Sequence, residues 1–284
     1  MSIIPDFFRE ATIAVGEKTS SNTVSYFGSG FLVGRYEGKD SKGLERYTVY
    51  LVTNKHVIDG RDSIEIQYNH QNTIATSSIN LIIGNKKQFS EHQKQKVDVV
   101  AISMNCGPII NGTNYYFFSL KDHALDLTKM KATGVGDGSL IYALGFPVGI
   151  SQTLISNIFN EPIYRLGCIA KIEHLYHPSN TDDIYYIDSN LFPGNSGGPI
   201  INRPEHTSIT GTSANTTSNL IGVVGAYLPY QDVLFSKQTG RARMVSEENS
   251  GLALVYPVET ILQTVELERT RVTGLSPSQQ IKLP

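Results

Sequence analysis

The sequence predicts an all-β fold, and three observations support this prediction. Short runs rich in Val, Ile, Tyr and Thr recur along most of the 284 residues. Most of these runs are bounded by Gly, Pro, Asn, Asp or Ser, the residues that close strands with turns. Helical patterns are few by comparison. The combination is typical of sandwiches and barrels.

The predicted elements follow one another along the chain. In order, the strand-like runs are TIAV, FGSGFLVGR, RYTVYLVTN, SIEIQYN, VDVVAIS, SLIYALGF, YRLGCIAKIE, DIYYID, GGPIIN, LIGVVGAYL and GLALVYPV. Two helices are predicted beside them, a short turn around IIPDFFRE and a longer helix through PVETILQTVELER. Pro257 can open the longer helix. Its apolar side chains then fall on one face, namely Val258, Ile261, Leu262 and Val265.

Three polar stretches interrupt this pattern. The first, near residues 120–138, is polar enough to join two halves of the chain. We therefore expect two domains, residues 1–125 and 126–284. The other two stretches, residues 202–219 and 229–250, predict long loops that are either functional or mobile.

Composition and charge exclude several classes of protein. A hydrophobic fraction of 40% and a charged fraction of 18% are those of a soluble globular protein. A net charge of -2 offers no electrostatic footprint for nucleic acid or an anionic membrane, so neither partner is expected. No apolar run reaches the roughly 18 residues of a membrane span, and no secretory signal is recognised. The two cysteines, Cys106 and Cys168, are expected to be free, buried thiols of a cytoplasmic protein.

The stretch DSNLFPGNSGGPI, residues 188–200, surrounds Ser196 with glycine and proline. Its core, GNSGG, satisfies the G-x-S-x-G pattern of the α/β-hydrolase nucleophile elbow. That elbow requires a helix directly after the serine, whereas Gly197, Gly198 and the apolar residues after them favour a strand. The elbow also needs a histidine well after the serine, and only His206 follows, inside a polar stretch. The elbow interpretation is therefore rejected.

A second arrangement uses a histidine and an acid that precede the serine. His56 follows the apolar run YLVTN, and Asp98 lies between apolar residues in KVDVVAIS. An ionised carboxylate in such a run is costly unless a polar group such as a histidine N–H satisfies it. His56, Asp98 and Ser196 therefore supply a base, an orienting acid and a nucleophile. The backbone N–H groups of Gly194 and Ser196 can point to one spot and bind an oxyanion.

The sequence also allows two other functions. In the first, the chain is a catalytically silent module that binds other proteins. In the second, Glu173, His174 and His177 form a metal site, but this group lacks further ligands at useful spacing. We therefore expect neither a metal nor a cofactor.

With these segments the sequence resembles the chymotrypsin-like (trypsin-fold) serine peptidases, specifically their bacterial branch near the high-temperature-requirement proteases. The segments that carry the resemblance extend over roughly residues 10–266 and include GSGFLVG, LVTNKHVI, DVVAIS, ALGFPVG, FPGNSGGPI and GLALVYPVETI. The resemblance implies two six-stranded antiparallel β-barrels with the active site between them. His56 and Asp98 would come from the first barrel and Ser196 from the second.

The resemblance also implies an activity and a substrate. It implies a serine endopeptidase that forms an acyl-enzyme on a protein or peptide substrate. The substrate pocket would be formed by Asn190, Leu191, Val224, Gly225 and Ala226.

In two places the sequence departs from the family. Asn195 stands where digestive relatives carry an aspartate that pairs with a newly cut N-terminal amine. Activation by N-terminal cleavage is therefore not expected. The stretch at residues 229–250 is longer than expected, and we expect it to be a lid, the binding site of a regulatory partner or a regulatory loop.

Overall fold

Two β-sheets, formed one after the other along the chain, account for most of this computed structural model. It describes residues 4–19, 23–69, 76–84, 88–104, 109–110, 115–148, 160–205 and 210–274. Each of the eleven predicted runs contains a strand, so the all-β fold class is confirmed.

The first sheet is built from the N-terminal part of the chain. Its helices are α1 (Asp6–Glu10) and α2 (Lys55–Ile58), and its strands are β1 (Thr12–Lys18), β2 (Val24–Lys39), β3 (Glu45–Thr53), β4 (Ser63–Asn69), β5 (Thr76–Ile82), β6 (Ser90–Glu91), β7 (Val100–Ser103), β8 (Ile109–Ile110) and β9 (Phe118–Ser119). The main path runs β5-β4-β1-β2-β3-β7-β6, while β8 pairs with β3 and β9 with β2. All pairs are antiparallel except β2 with β9.

The second sheet closes on itself. Its helices are α3 (Leu127–Ala132) and α4 (Val258–Thr273), with a 3₁₀ turn at Glu173–Tyr176, and its strands are β10 (Leu140–Gly145), β11 (Ile163–Lys171), β12 (Tyr185–Asp188), β13 (Pro199–Asn202), β14 (Leu220–Phe235) and β15 (Ala242–Pro257). The six strands form a closed antiparallel barrel in the order β10-β11-β12-β15-β14-β13. This is the six-stranded barrel implied for the second half of the chain.

The first sheet differs from the barrel that the resemblance implied. In the described residues it has nine strands, and its path ends at β5 and β6 without closing. Four of its strands, β5, β6, β8 and β9, lie outside the predicted runs; the last three are only two residues long, and β9 runs parallel to β2. Such short pairings carry too little periodicity to be recognised in a sequence.

Three apolar clusters form the interior. One lies within the first sheet and includes Ile13, Leu51 and Ile64. Another fills the second barrel. The third joins the two halves, since it contains residues of the first sheet, such as Phe31, together with Val265 of α4. Each fully buried side chain of this size contributes about 1.5–3 kcal/mol to the free energy of unfolding, so the two halves are held together largely by this third cluster.

Helix α4 begins after Pro257, and both predicted helices are confirmed. The Glu268 carboxylate of α4 is fully buried and is paired with the Arg271 guanidinium. It also accepts hydrogen bonds from the backbone N–H of Ser103, at 2.9 Å, and from the hydroxyl of Ser90, at 3.0 Å. The C-terminal helix is thereby fastened to β6 and β7 of the first sheet.

Two segments expected to be irregular form regular structure. Residues 120–138 contain α3, because Asp126 caps its N-terminus by accepting a hydrogen bond from the backbone N–H of Lys129 at 2.8 Å. Residues 229–250 form the outer part of a long β14–β15 hairpin, here called the ribbon, in which Tyr230 pairs with Glu248. The loop prediction for residues 229–250 is therefore wrong. In the other polar stretch, 202–219, residues 206–209 lie outside the described residues.

Two smaller expectations concern the cysteines and the membrane. Cys168 is a free thiol but is only half-buried. It precedes Ile169, which points into the barrel, and successive side chains of a strand point to opposite faces. Cys106 lies outside the described residues. In the ranges that the structure describes, no helix combines the length and the apolar character needed to span a membrane.

Candidate active site

His56 and Asp98 lie next to each other at one end of the first sheet. Thr53, the last residue of β3, pairs with Val100, the first residue of β7. The chain that leaves β3 and the chain that enters β7 therefore meet at the same end. His56 lies in α2, just after β3, and Asp98 lies two residues before β7. The antiparallel pairing of two buried strands thus brings together residues that are 42 positions apart.

The Asp98 carboxylate holds the imidazole of His56 in one orientation. Its Oδ1 accepts a hydrogen bond from the backbone N–H of His56 at 3.0 Å, and its Oδ2 contacts the ring Nδ1. Asn54, which the sequence did not single out, donates from Nδ2 to the backbone carbonyl of Asp98 at 2.6 Å. Because Nδ1 is engaged, Nε2 of a neutral ring is left as a proton acceptor. About half of the His56 side chain is exposed, so this nitrogen is accessible.

The segment before Asp98 is tied to the second half of the chain. Lys94 and Lys96 both pair with the carboxylate of Asp183, which precedes β12. Burial acts to raise the pKa of Asp183, but the hydrogen bonds from the two lysines outweigh it and hold the pKa below its ordinary value. The carboxylate is therefore ionised at neutral pH, and these ion pairs anchor the loop that carries Asp98.

Ser196 lies in a tight turn that leads into β13 and packs against the first sheet. The backbone N–H of Ser29, in β2, donates to the carbonyl of Ser196 at 3.1 Å. The N–H of Gly197 donates to the carbonyl of Val224 in β14 at 3.0 Å. The backbone at Ser196 is thus held between β2 of the first sheet and β14 of the second, and Ser196 itself is half-buried.

Glycine is required at position 197 for this close packing. Its φ is +83°, in the left-handed region that favours glycine. A Cβ atom here would lie 2.3 Å from the carbonyl oxygen of Ser29 and 2.4 Å from Oγ1 of Thr53. Any other residue would push the Ser196 turn away from the first sheet, and with it the serine.

The turn leaves two backbone donors open. The N–H of Val148 donates to the carbonyl of Pro193 at 2.8 Å. This carbonyl and the N–H of Gly194 belong to the same trans peptide, in which the two groups point in opposite directions. The N–H of Gly194 is therefore directed away from Val148. Within the described part of the chain, neither this N–H nor that of Ser196 has an acceptor. Because Gly194 is buried, an open donor there is unusual and fits a ligand oxygen.

The residues predicted to form the substrate pocket are placed in different ways. Asn190 is exposed and Ala226 is half-buried. Leu191 and Val224 are each only 1% exposed, and their side chains pack within the barrel core. Any pocket wall they provide would come from their backbone. A Cβ atom at Gly225 would meet the side chain of Leu254 at 2.1 Å. Their role in binding substrate stays a prediction.

The histidines outside this site have other surroundings. His174, in the 3₁₀ turn, donates from Nε2 to the carbonyl of Ile184 at 2.9 Å and so contributes to the turn. His206 and His70 lie outside the described residues.

The two joined β-sheets, with the His56–Asp98 pair on one and the glycine-rich Ser196 turn on the other, form a trypsin-like fold. The model of the trypsin-like peptidase domain family matches residues 28–207, which is more than half of the chain. The chain belongs to this family, and the matched range contains His56, Asp98 and Ser196. A comparison with curated proteins found no match.

Solved structures of proteases are similar to this chain. The MamO protease domain of Magnetospirillum magneticum, in its apo form, is 14% identical, with 90% of this chain and 96% of that chain covered and a TM-score of 0.44. The active form of the Rv3671c protease from M. tuberculosis is 12% identical, with 94% and 90% covered and a TM-score of 0.43. Its inactive form is also 12% identical, with 92% and 89% covered and a TM-score of 0.42. Membership of the family rests on the matched family model.

Proposed function

We propose that the protein is a serine endopeptidase that hydrolyses peptide bonds of a protein or peptide substrate through an acyl-enzyme. One observation carries the proposal: the Asp98 carboxylate contacts both the backbone N–H and the ring Nδ1 of His56, at the sheet against which the Ser196 turn packs. The Asp98 carboxylate is partly buried, and burying a charge is costly unless a hydrogen-bonding partner satisfies it. An acid that orients a half-exposed imidazole has a clear chemical use.

The proposed reaction assigns one role to each group. Ser196 Oγ attacks the carbonyl carbon of the scissile bond and passes its proton to Nε2 of His56. Asp98 stabilises the imidazolium that forms. The carbonyl oxygen becomes an oxyanion that accepts hydrogen bonds from the N–H groups of Gly194 and Ser196. His56 then gives the proton to the leaving amine. A water molecule, deprotonated by His56, hydrolyses the acyl-enzyme, and the proton returns to Ser196.

The alternative function is a silent binding module. Silent relatives usually lose a member of the triad or the oxyanion glycine, whereas here all of these residues are present. A fluorophosphonate probe, which reacts with an activated serine, distinguishes the two functions. Labelling of the wild type but not of Ser196→Ala supports the enzyme. If the probe labels neither protein, the binding module is the better description.

We expect cleavage after small to medium apolar residues such as Ala, Val or Leu. A preference for Arg or Lys would need a carboxylate in the pocket, and position 190 carries a neutral Asn. Profiling with peptides derived from a proteome measures this preference. The variant Asn190→Asp provides a matched control, since it adds the missing carboxylate and is expected to increase cleavage after Arg and Lys. A dominant Arg or Lys signature in the wild type would contradict the prediction.

We expect full activity without N-terminal cleavage. Asn195 is buried, and its neutral amide donates from Nδ2 to the carbonyl of Phe192 at 3.0 Å, so a buried ammonium would find no charge partner there. The N-terminal helix is already anchored, because Phe8 packs against Phe118 with ring centroids 4.6 Å apart. The chain purified with Met1 retained should be as active as one with a trimmed N-terminus. Activity that appears only after a defined cut, and is lost when the new amine is blocked, would refute this.

We further propose that a regulatory partner binds the ribbon. Its strands expose several large apolar side chains, namely Tyr230, Leu234, Phe235, Met244 and Val245. At its base, Asn249 donates from Nδ2 to the carbonyl of Leu191, which links the ribbon to the loop before Ser196. A photo-reactive residue at Phe235 should cross-link the partner in cells, while one at the exposed Leu44 should not. Identical cross-linking from both positions would reject the proposal.

A further inference from the structure

Ser29 lies at the centre of the contact between the two sheets. It stands in β2, between two glycines, and is fully buried. Its hydroxyl accepts a hydrogen bond from the backbone N–H of Phe146 at 2.8 Å and donates one to the carbonyl of Gly194 at 2.6 Å. Both partners belong to the second half of the chain.

The backbone of Ser29 takes part in the same contact. Its N–H donates to the carbonyl of Ser196, and its carbonyl accepts a hydrogen bond from Oγ1 of Thr53 at 2.7 Å. One residue of the first sheet therefore binds two residues of the oxyanion loop, here defined as residues 193–196. Thr53, at the end of β3, holds Ser29 itself in place.

The hydroxyl of Ser29 completes the restraint on Gly194. The peptide before Gly194 is fixed by the hydrogen bond from Val148 to Pro193, and the peptide after it is fixed by Ser29. Glycine rotates more freely than any other residue, so both peptides must be held if its N–H is to keep one direction. Removing the Ser29 hydroxyl leaves one of these two peptides without its partner.

Asn195 does not restrain Gly194 through an ion pair. Its side chain is neutral, and in the described part of the chain its buried Oδ1 has no donor. Gly145 leaves room for both side chains, since a Cβ there would lie 2.9 Å from Oδ1 of Asn195 and 2.9 Å from Oγ of Ser29. Ser29 thus reaches the oxyanion loop twice, with its backbone N–H at Ser196 and with its hydroxyl at Gly194, and only the hydroxyl restrains Gly194.

We propose that Ser29 is a positioning residue for the oxyanion loop, and that its hydroxyl keeps the N–H of Gly194 directed at the reacting carbonyl. The inference rests on the proposed peptidase activity and extends it. Because Ser29 is present in the uncut chain, its hydroxyl holds the loop without the amine that N-terminal cleavage would create.

The test compares Ser29→Ala with a matched control, Ser119→Ala. Ser119 is also a buried serine of the first sheet, and its hydroxyl likewise donates, to Oδ2 of Asp122 at 2.7 Å, and accepts, from the N–H of Asp122 at 3.2 Å. Both variants lose a buried, hydrogen-bonded hydroxyl. Only Ser29 lies beside the oxyanion loop.

We expect Ser29→Ala to lower kcat by about 10- to 100-fold, since loss of a whole oxyanion donor costs about 10²–10³ and here the donor is only misdirected. KM should change less than about 3-fold. Affinity for a peptide aldehyde, whose adduct with Ser196 carries the oxyanion, should fall by the same factor as kcat/KM. Ser119→Ala should keep the wild-type kcat. Ser29→Cys, which keeps the volume and a weak donor, should be intermediate.

The outcomes separate this inference from the proposed function. If Ser29→Ala and Ser119→Ala have the same kcat and the same aldehyde affinity, Ser29 is structural only and the inference fails, while the peptidase stands. If Ser196→Ala retains activity, the proposed function fails first. Thermal melting identifies a variant that does not fold, and in that case the comparison of Ser29→Cys with wild type decides, since unchanged kcat and unchanged aldehyde affinity would overturn the inference.

Discussion

Peptide hydrolysis by the Ser196→Ala variant is expected to fall by about 10⁶-fold, the loss seen when a catalytic serine is removed from enzymes of this chemistry. The hydroxyl of Ser196 makes no hydrogen bond within the described part of the chain, so its removal should leave the melting temperature unchanged. His56→Ala should lose activity to a similar extent. Steady-state assays with a fluorogenic peptide and thermal melting together measure both effects.

The serine at position 119 again provides the control. Ser119→Ala should keep the wild-type rate, because Ser119 lies in β9 and binds Asp122. Cleavage by Ser196→Ala at a rate near that of the wild type would show that another residue is the nucleophile, and the assignment of His56 and Asp98 would fall with it.

The variant Asp98→Asn is expected to lower kcat by about 10⁴-fold. The carboxylate binds the backbone N–H and the ring Nδ1 of His56 with its two oxygens, whereas an amide has only one. If that oxygen stays on the backbone N–H, the NH₂ group faces Nδ1 and the proton moves to Nε2. The imidazole then cannot accept the proton of Ser196. If the amide turns over, the backbone N–H of His56 loses its partner.

Asp126→Asn is the isosteric control for this variant. Asp126 caps α3 through the N–H of Lys129, and asparagine caps a helix about as well as aspartate, so wild-type kinetics are expected. The pH profile adds a second readout, because a wrong tautomer lowers the rate at every pH near neutrality. An Asp98→Asn variant with more than about a tenth of the wild-type kcat would exclude Asp98 as the orienting acid.

The candidate site was predicted from residues that interrupt their own local pattern. Asp98 is a charge inside an apolar run, His56 follows a buried strand, and Ser196 stands among glycines with no helix after it. Each of these side chains departs from the pattern around it and therefore needs a polar partner. Their chemistry, an acid, a base and a nucleophile, indicated that they are partners of one another. Eleven of the fifteen described strands lie in predicted runs, because these runs are rich in apolar and β-branched residues and end at turn residues, whereas β5, β6, β8 and β9 were not predicted.

Other features depend on contacts that no local pattern records. The hydroxyl of Ser29 reaches Gly194 across 165 positions, and its only trace in the sequence is a polar residue between two glycines of an apolar strand. The ribbon was taken for a loop because both of its faces are exposed, so no alternation of apolar and polar residues arises. Leu191 was assigned to the pocket by position, and sequence alone did not indicate that its side chain packs in the barrel core, which leaves only its backbone to face a substrate.

The fastening of α4 to the first sheet has a consequence for the newly synthesised protein. Ribosomes add about 5–20 residues per second and domains tend to fold as they emerge, so His56 and Asp98 exist well before Ser196. The hydrogen bond that Ser103, in the strand after Asp98, donates to the Glu268 carboxylate forms later still. We therefore expect the first sheet of a nascent chain to reach its final packing only when the last helix docks. The activity proposed for the site would then arise only at the end of translation.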